Sequence, residues 1–111
     1  MSYADYVLIF KALADETRLK IVSMLSEGEL CACKILESFS ITQPTLSYHM
    51  KILCDSGLVE SKRDGAWLRY SLNSESFRKT RDLVIDITTT IDNNSSIDNS
   101  ECNNDCLGDD K

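Results

Sequence analysis

Helical spacing of apolar residues runs through most of this chain, and one stretch breaks it. In residues 3–13, "YADYVLIFKAL", Tyr6, Phe10 and Leu13 fall at helical spacing while Val7 and Ile9 add apolar surface elsewhere. The pattern predicts a helix that packs on two partners. Asp15 is placed to cap the next helix, whose buried stripe is Leu19, Ile21, Val22 and Leu25, and Gly28 ends it. A third, short helix is expected from Leu30 to Ser38. Thr42 is the expected N-cap of a fourth, with Pro44 in its first turn, where the amides lack intrahelical partners anyway. That helix runs to Asp55. Its Leu46, Met50, Leu53 and Cys54 follow the i, i+4, i+7, i+8 pattern, which turns Thr42, Gln43, Thr45, Ser47, Tyr48, His49 and Lys51 outward as a hydrogen-bonding face.

The break comes after Gly57. Residues 58–72, "LVESKRDGAWLRYSL", read as two strands, Leu58 to Lys62 and Ala66 to Leu72, joined around Asp64-Gly65 in a tight hairpin. Ser74 then caps a last helix, in which Phe77, Val84, Ile87 and Ile91 make a stripe that one small domain does not fully cover. A dimer seam is the natural use for it. From Asp92 onward the chain is rich in Asn, Asp and Ser and buries too little to offset its ordering entropy. The expected fold is therefore mainly α with a β-hairpin, a homodimeric winged helix-turn-helix. Residues 1–91 form the DNA-binding and dimerisation domain, and residues 92–111 form a flexible acidic tail carrying cysteines.

Composition sharpens this. A length of 111 residues suits one domain. The net charge of −6 argues against a nucleic-acid partner only until its distribution is read, because residues 92–111 carry −5 of it. No long apolar run and no basic leader precede the "VLIF" segment, so a cytoplasmic protein without a membrane partner is expected. In that compartment Cys31, Cys33, Cys54, Cys102 and Cys106 stay mostly reduced, which favours metal binding or regulated oxidation over a disulfide framework. With His49 as the single histidine, and no paired carboxylates in an apolar setting, nothing assembles into an acid-base or nucleophile site. Neither an enzyme nor a catalytic cofactor is expected.

The order of helices and hairpin places the fourth helix in a major groove about 12 Å wide, with double-stranded operator DNA as the partner. Lys62, Arg63 and Arg69 on the hairpin are placed to straddle phosphates. Three motifs, "ADETRLKIVSML", "ELCACKI" and "TQPTLSYHMKILCDSGLVESKRDGAWLRYSL", resemble the ArsR-type metalloregulatory repressors over residues 5–91. The resemblance implies a homodimer that leaves its operator when a metal or metalloid binds, with Gln43, Thr45, Ser47, Tyr48 and His49 facing DNA.

"ELCAC" is similar to the arsenite-sensing branch, which implies As(III) or Sb(III) as inducer at Cys31 and Cys33. That branch often carries a third cysteine where this chain has Leu36. Trivalent arsenic typically takes three sulfurs, so a third is expected from Cys102 or Cys106, the alternatives being Cys54 or an exogenous thiol. On a regular helix, residues i and i+2 point about 200° apart, so the pair is expected to grip one ion only if the helix loosens. Two rival repressors share the fold: a thiol redox sensor, and a Cd or Zn sensor using "CAC" with "CNNDC".

Overall fold

The structure, a computed structural model, describes residues 1–94. Cys102, Cys106 and nearly all of the expected tail lie outside the described residues. Along the chain run α1 (Tyr3–Leu13), α2 (Glu16–Leu25), β1 (Leu30–Cys31), α3 (Ala32–Glu37), α4 (Gln43–Asp55), β2 (Val59–Asp64), β3 (Trp67–Leu72) and α5 (Ser74–Asn93). Met1–Thr80 form one compact unit, and a second begins at Arg81 within α5.

Local chemistry sets the helix ends. Ser2 and Asp5 cap α1 reciprocally, the Ser2 hydroxyl accepting from the Asp5 amide and the Asp5 carboxylate from the Ser2 amide. Asp15 accepts from the Arg18 amide at the start of α2, and Thr42 from the Thr45 amide at the start of α4. At α5 the cap is Asn73 rather than Ser74. Its side-chain oxygen accepts from the Ser76 amide at 3.1 Å, one residue earlier than the sequence pattern placed it.

Ile9 and Ala12 of α1, Ile21 and Leu25 of α2, Ile35 of α3, Leu46, Met50 and Leu53 of α4, and Leu58, Val59 and Tyr70 form one core. The underside of α4 is thus the face its spacing predicted. The α2 stripe is mostly as expected, with Ile21 and Leu25 buried and only Leu19 exposed, at 51%; on α1, Phe10 is 44% exposed because the core lies against Ile9 and Ala12 instead. In the second unit Val84, Ile85, Ile87 and Ile91 are each about half exposed, and α5 buries no residue.

The expected third helix opens on a two-residue strand. Leu30 and Cys31 pair antiparallel with Tyr70 and Arg69, so the sheet has three strands in the order β1-β3-β2. The backbone at Cys31 is extended (φ −79°, ψ 158°), and α3 begins only at Ala32. In the hairpin, Gly65 turns the chain at φ 62°, a conformation that costs a side-chain-bearing residue more.

Strand alternation sorts the hairpin's side chains. Ser61 faces Tyr70 and Arg63 faces Leu68 in rows on the core side, whereas Lys62, Arg69 and Cys31 form one cross-strand row on the other. Among the described residues no helix is long and apolar enough to cross a membrane.

Candidate nucleic-acid interface and thiol site

The reading face is built on a helix held from beneath. With Leu46, Met50 and Leu53 buried, Gln43, Thr45, Ser47, Tyr48 and Lys51 are exposed on the opposite side of α4, and Tyr48 is 62% exposed. The Thr42 hydroxyl donates to Thr45 Oγ1 at 3.0 Å, tying the first turn. Lys51 pairs with Asp55 at 2.9 Å, an exposed i, i+4 contact of small energetic weight that a phosphate can displace.

His49 departs from the outward face on which its spacing placed it. Its side chain is 12% exposed, and its Nδ1 lies 3.1 Å from the Arg18 guanidinium and 3.9 Å from the Asp15 carboxylate. Arg18 can only donate, so Nδ1 is the acceptor and the neutral ring carries its hydrogen on Nε2. The same guanidinium donates to the Ala12 carbonyl at 2.6 Å. Arg18 therefore ties the end of α1 and the start of α2 to the middle of α4, and His49 is an anchor for the reading helix. The signal for Arg18 was available in "DETR", but no local pattern names its partner 31 residues away.

The three hairpin bases are not equivalent. Lys62 and Arg69 share one row, with Arg69 Nε 4.0 Å from the Asp64 carboxylate, while Arg63 lies on the core side. Arg63 lines a cleft of about 360 Å³ between α3, the start of α4 and the hairpin. Gln43 and Ser47 contribute from α4, Trp67 and Leu68 from β3, and Cys31 and Cys33 from the turn into α3. Sequence reading missed this cleft; the only hint was Trp67, a large aromatic in a polar hairpin.

Because Cys31 sits on extended backbone just before the helix, Cys31 and Cys33 are not an i, i+2 pair on one regular helix. The neighbouring Cys33 thiol first, then the Lys34 amide and the Arg69 guanidinium, hold the Cys31 thiol below the ordinary range, and Cys31 in turn raises that of Cys33. Both residues line the cleft. Cys54 is elsewhere: burial pushes its thiol up, and the Asp55 carboxylate adds to it. It does not line the cleft, and seven residues of α4 separate it from Ser47, about 10 Å along the axis. Among the described residues, no group of three or more His, Cys, Asp or Glu side chains could hold a metal.

A buried-underside helix with a polar face, preceded by a short helix and followed by a basic hairpin, defines a winged helix-turn-helix of the DNA-binding kind. The family model described as bacterial regulatory protein, arsR family, matches residues 15–61. The arsenical resistance operon repressor of Staphylococcus xylosus is 47% identical over 83% of this chain and 88% of its own. The chain belongs to the arsR family. An ArsR-like transcriptional regulator from Rhodococcus sp. RHA1 superposes with a TM-score of 0.74 at 28% identity, covering 85% of this chain and 89% of that one. A homodimeric winged helix-turn-helix DNA-binding domain from Mycobacterium bovis shares the fold, with a TM-score of 0.65 at 23% identity over 86% of this chain and 88% of its own.

Proposed function

We propose that this protein represses an arsenical resistance operon in the cytoplasm, binding operator DNA as a homodimer and leaving it when trivalent arsenic or antimony binds Cys31 and Cys33. The observation that carries the reading is the thiol pair: Cys31 and Cys33 both line one cleft walled by the reading helix and the hairpin. A soft, thiophilic ion suits this donor set better than Mg or Ca. Gln43, Thr45, Ser47 and Tyr48 present the polar groups for base edges and Lys51 for phosphate, while Lys62 and Arg69 are placed for phosphates. The exposed Val84, Ile87 and Ile91 of α5, with the Staphylococcus relative's role and the Mycobacterium domain's homodimeric state, support the rest.

A gel-shift titration tests this with the full chain and the DNA upstream of its own gene. Arsenite or antimonite should release the complex, Mg and Ca should not, and Ile87→Asp should abolish both dimer and binding. Arsenite that leaves the wild-type complex intact would refute the reading. The lowered Cys31 thiol beside Cys33 also favours a second one, a repressor released by oxidation of the pair. Release by arsenite under strictly reducing, oxygen-free conditions excludes oxidation as the required signal.

A further inference from the structure

We propose that Arg18 is a positioning residue for operator recognition: through Nδ1 of His49 it fixes the seat of the reading helix, and His49 enters recognition by that bond and not by touching DNA. This rests on the operator-binding reading above and adds residues outside the polar face on which sequence choice depends. Two observations carry it. All three nitrogens of the Arg18 side chain are engaged, Nε with the Ala12 carbonyl at 2.6 Å, Nη2 with the Lys11 carbonyl at 3.5 Å and Nη1 with His49 Nδ1 at 3.1 Å. The His49 side chain is only 12% exposed, whereas Tyr48 beside it is 62% exposed.

The need for a brace follows from how α4 is held. Leu46, Met50 and Leu53 press its underside into the core, and apolar packing of this kind is strong but non-directional. It keeps the helix down without fixing its roll. Base-edge hydrogen bonds form only over a narrow range, about 2.7 to 3.2 Å between heavy atoms, so a small roll of α4 costs contacts by Gln43, Thr45 and Ser47. Phosphate contacts by long lysine side chains survive it. Roll therefore matters to sequence choice far more than to general affinity for DNA.

Arginine suits the task. Its guanidinium is planar, keeps its charge and presents donors in a rigid fork. Two of the fork's bonds go to backbone carbonyls at the end of α1, which no rotamer change can displace, and the third crosses to the flank of α4. Asp15 steadies the base of the side chain, accepting from the Arg18 amide at 3.1 Å. The Asp15 carboxylate lies 3.9 Å from His49 Nδ1, too far for a hydrogen bond, so the ring is oriented by Arg18. The end of α1 thereby sets the angle at which α4 is presented.

The test separates the two ring nitrogens. Asparagine places its amide oxygen close to the position of Nδ1, and glutamine places its own close to Nε2. Binding of the full-length reduced protein to the DNA upstream of its own gene, and to unrelated DNA of equal length, is measured by fluorescence anisotropy over a salt series. On the operator His49→Asn should stay within about threefold of wild type, while His49→Gln, Arg18→Lys and Arg18→Ala should each lose about tenfold or more. On unrelated DNA all should stay within about twofold, with an unchanged salt slope, because no phosphate contact is lost. Adding His49→Ala to Arg18→Ala should cost little more than either alone. Circular dichroism shows which variants are folded, and if those of Arg18 are not, the comparison of His49→Asn with His49→Gln decides alone. Operator binding by His49→Asn no better than by His49→Gln, or a salt slope lowered by about one in Arg18→Ala, would overturn the proposal and leave the operator-binding reading standing. Wild type that does not distinguish its upstream DNA from unrelated DNA would overturn both.

Discussion

Cys31 with Cys33 and Cys54 are the same chemical group in opposite settings. The pair sits where β1 turns into α3, open to a cleft, with the Cys33 thiol, the Lys34 amide and the Arg69 guanidinium all favouring a thiolate on Cys31. Cys54 is partly buried under β2, where removal from water disfavours the charged form and the neighbouring Asp55 carboxylate adds to it. A thiolate is the ligand and the nucleophile, so the first setting suits a soft ligand and the second suits a small packing residue. What separates them is backbone context. The extended conformation at Cys31, where it pairs with Arg69, takes the two cysteines off the continuous helix that would have pointed them apart.

The largest expected effect tests that division directly. Cys31→Ser should raise the arsenite concentration needed to release operator DNA by about 100-fold or more, since one As–S bond is lost outright and the coupling free energy falls with it. Cys54→Ala should leave the release midpoint within about twofold. If Cys54→Ala abolished release, the third sulfur would come from Cys54, and the partition drawn above would be wrong. Ending the chain at Ile91 is the companion experiment. An unchanged midpoint removes Cys102 and Cys106 from the site.

Next in size is reactivity. With iodoacetamide near neutral pH, Cys31 should alkylate about tenfold faster than Cys54 because its thiolate fraction and its access are both greater. The pH profile carries the sign. A lowered thiol reaches half its maximal rate at a pH below the ordinary cysteine value, and a raised one above it, so the Cys31 curve lies to the acid side of the Cys54 curve. Peptide mapping of partially labelled protein reads both at once, and coincident curves would show that the two environments do not differ.

Much of this architecture was legible before any coordinates. The starts of α2 and α4 follow from local side-chain caps, and the underside of α4 from strict helical spacing of Leu46, Met50 and Leu53. What was hidden depends on partners far along the chain. β1 is two residues long and exists only because Tyr70 and Arg69 pair with it, so "ELCACKI" read as helix throughout. His49 looked like one more outward polar residue until Arg18 claimed it. On α1, Phe10 faces out while Ile9 meets the core, because that helix is apolar on more than one side and spacing alone does not say which side is buried. Asn73 and Ser74 are both good caps, and a one-residue choice between them is decided by the Ser76 amide.

Stability separates the two settings by a smaller margin. Cys54→Ala removes a partly buried sulfur packed against the core and should cost about 1 kcal/mol. Cys31→Ser exchanges a rim sulfur for an oxygen that can still accept a hydrogen bond, so its denaturation midpoint should stay close to wild type. Urea unfolding of the two variants decides it. A Cys31→Ser protein that lost more stability than Cys54→Ala would mean that the pair holds the fold together as well as the inducer.

The smallest expected effect concerns what keeps Cys31 reactive. Its lowered thiol has an ordered set of causes, the Cys33 hydrogen bond first and the Arg69 charge last. Removing the larger cause should move the alkylation profile of Cys31 further toward alkaline pH than removing the smaller one, so Cys33→Ala should exceed Arg69→Ala, and neither should move the Cys54 profile. Cys33 is the immediate neighbour, whereas Arg69 acts through space from the adjacent strand while its guanidinium also faces Asp64 at 4.0 Å and solvent screens it. Added salt should therefore reproduce most of the Arg69→Ala shift and little of the Cys33→Ala shift. A profile that moved more on losing Arg69, or one that salt moved as far as Cys33→Ala does, would make the strand's charge the main support of the thiolate. The link between sensor and hairpin would then be electrostatic, and the cleft would have less part in it.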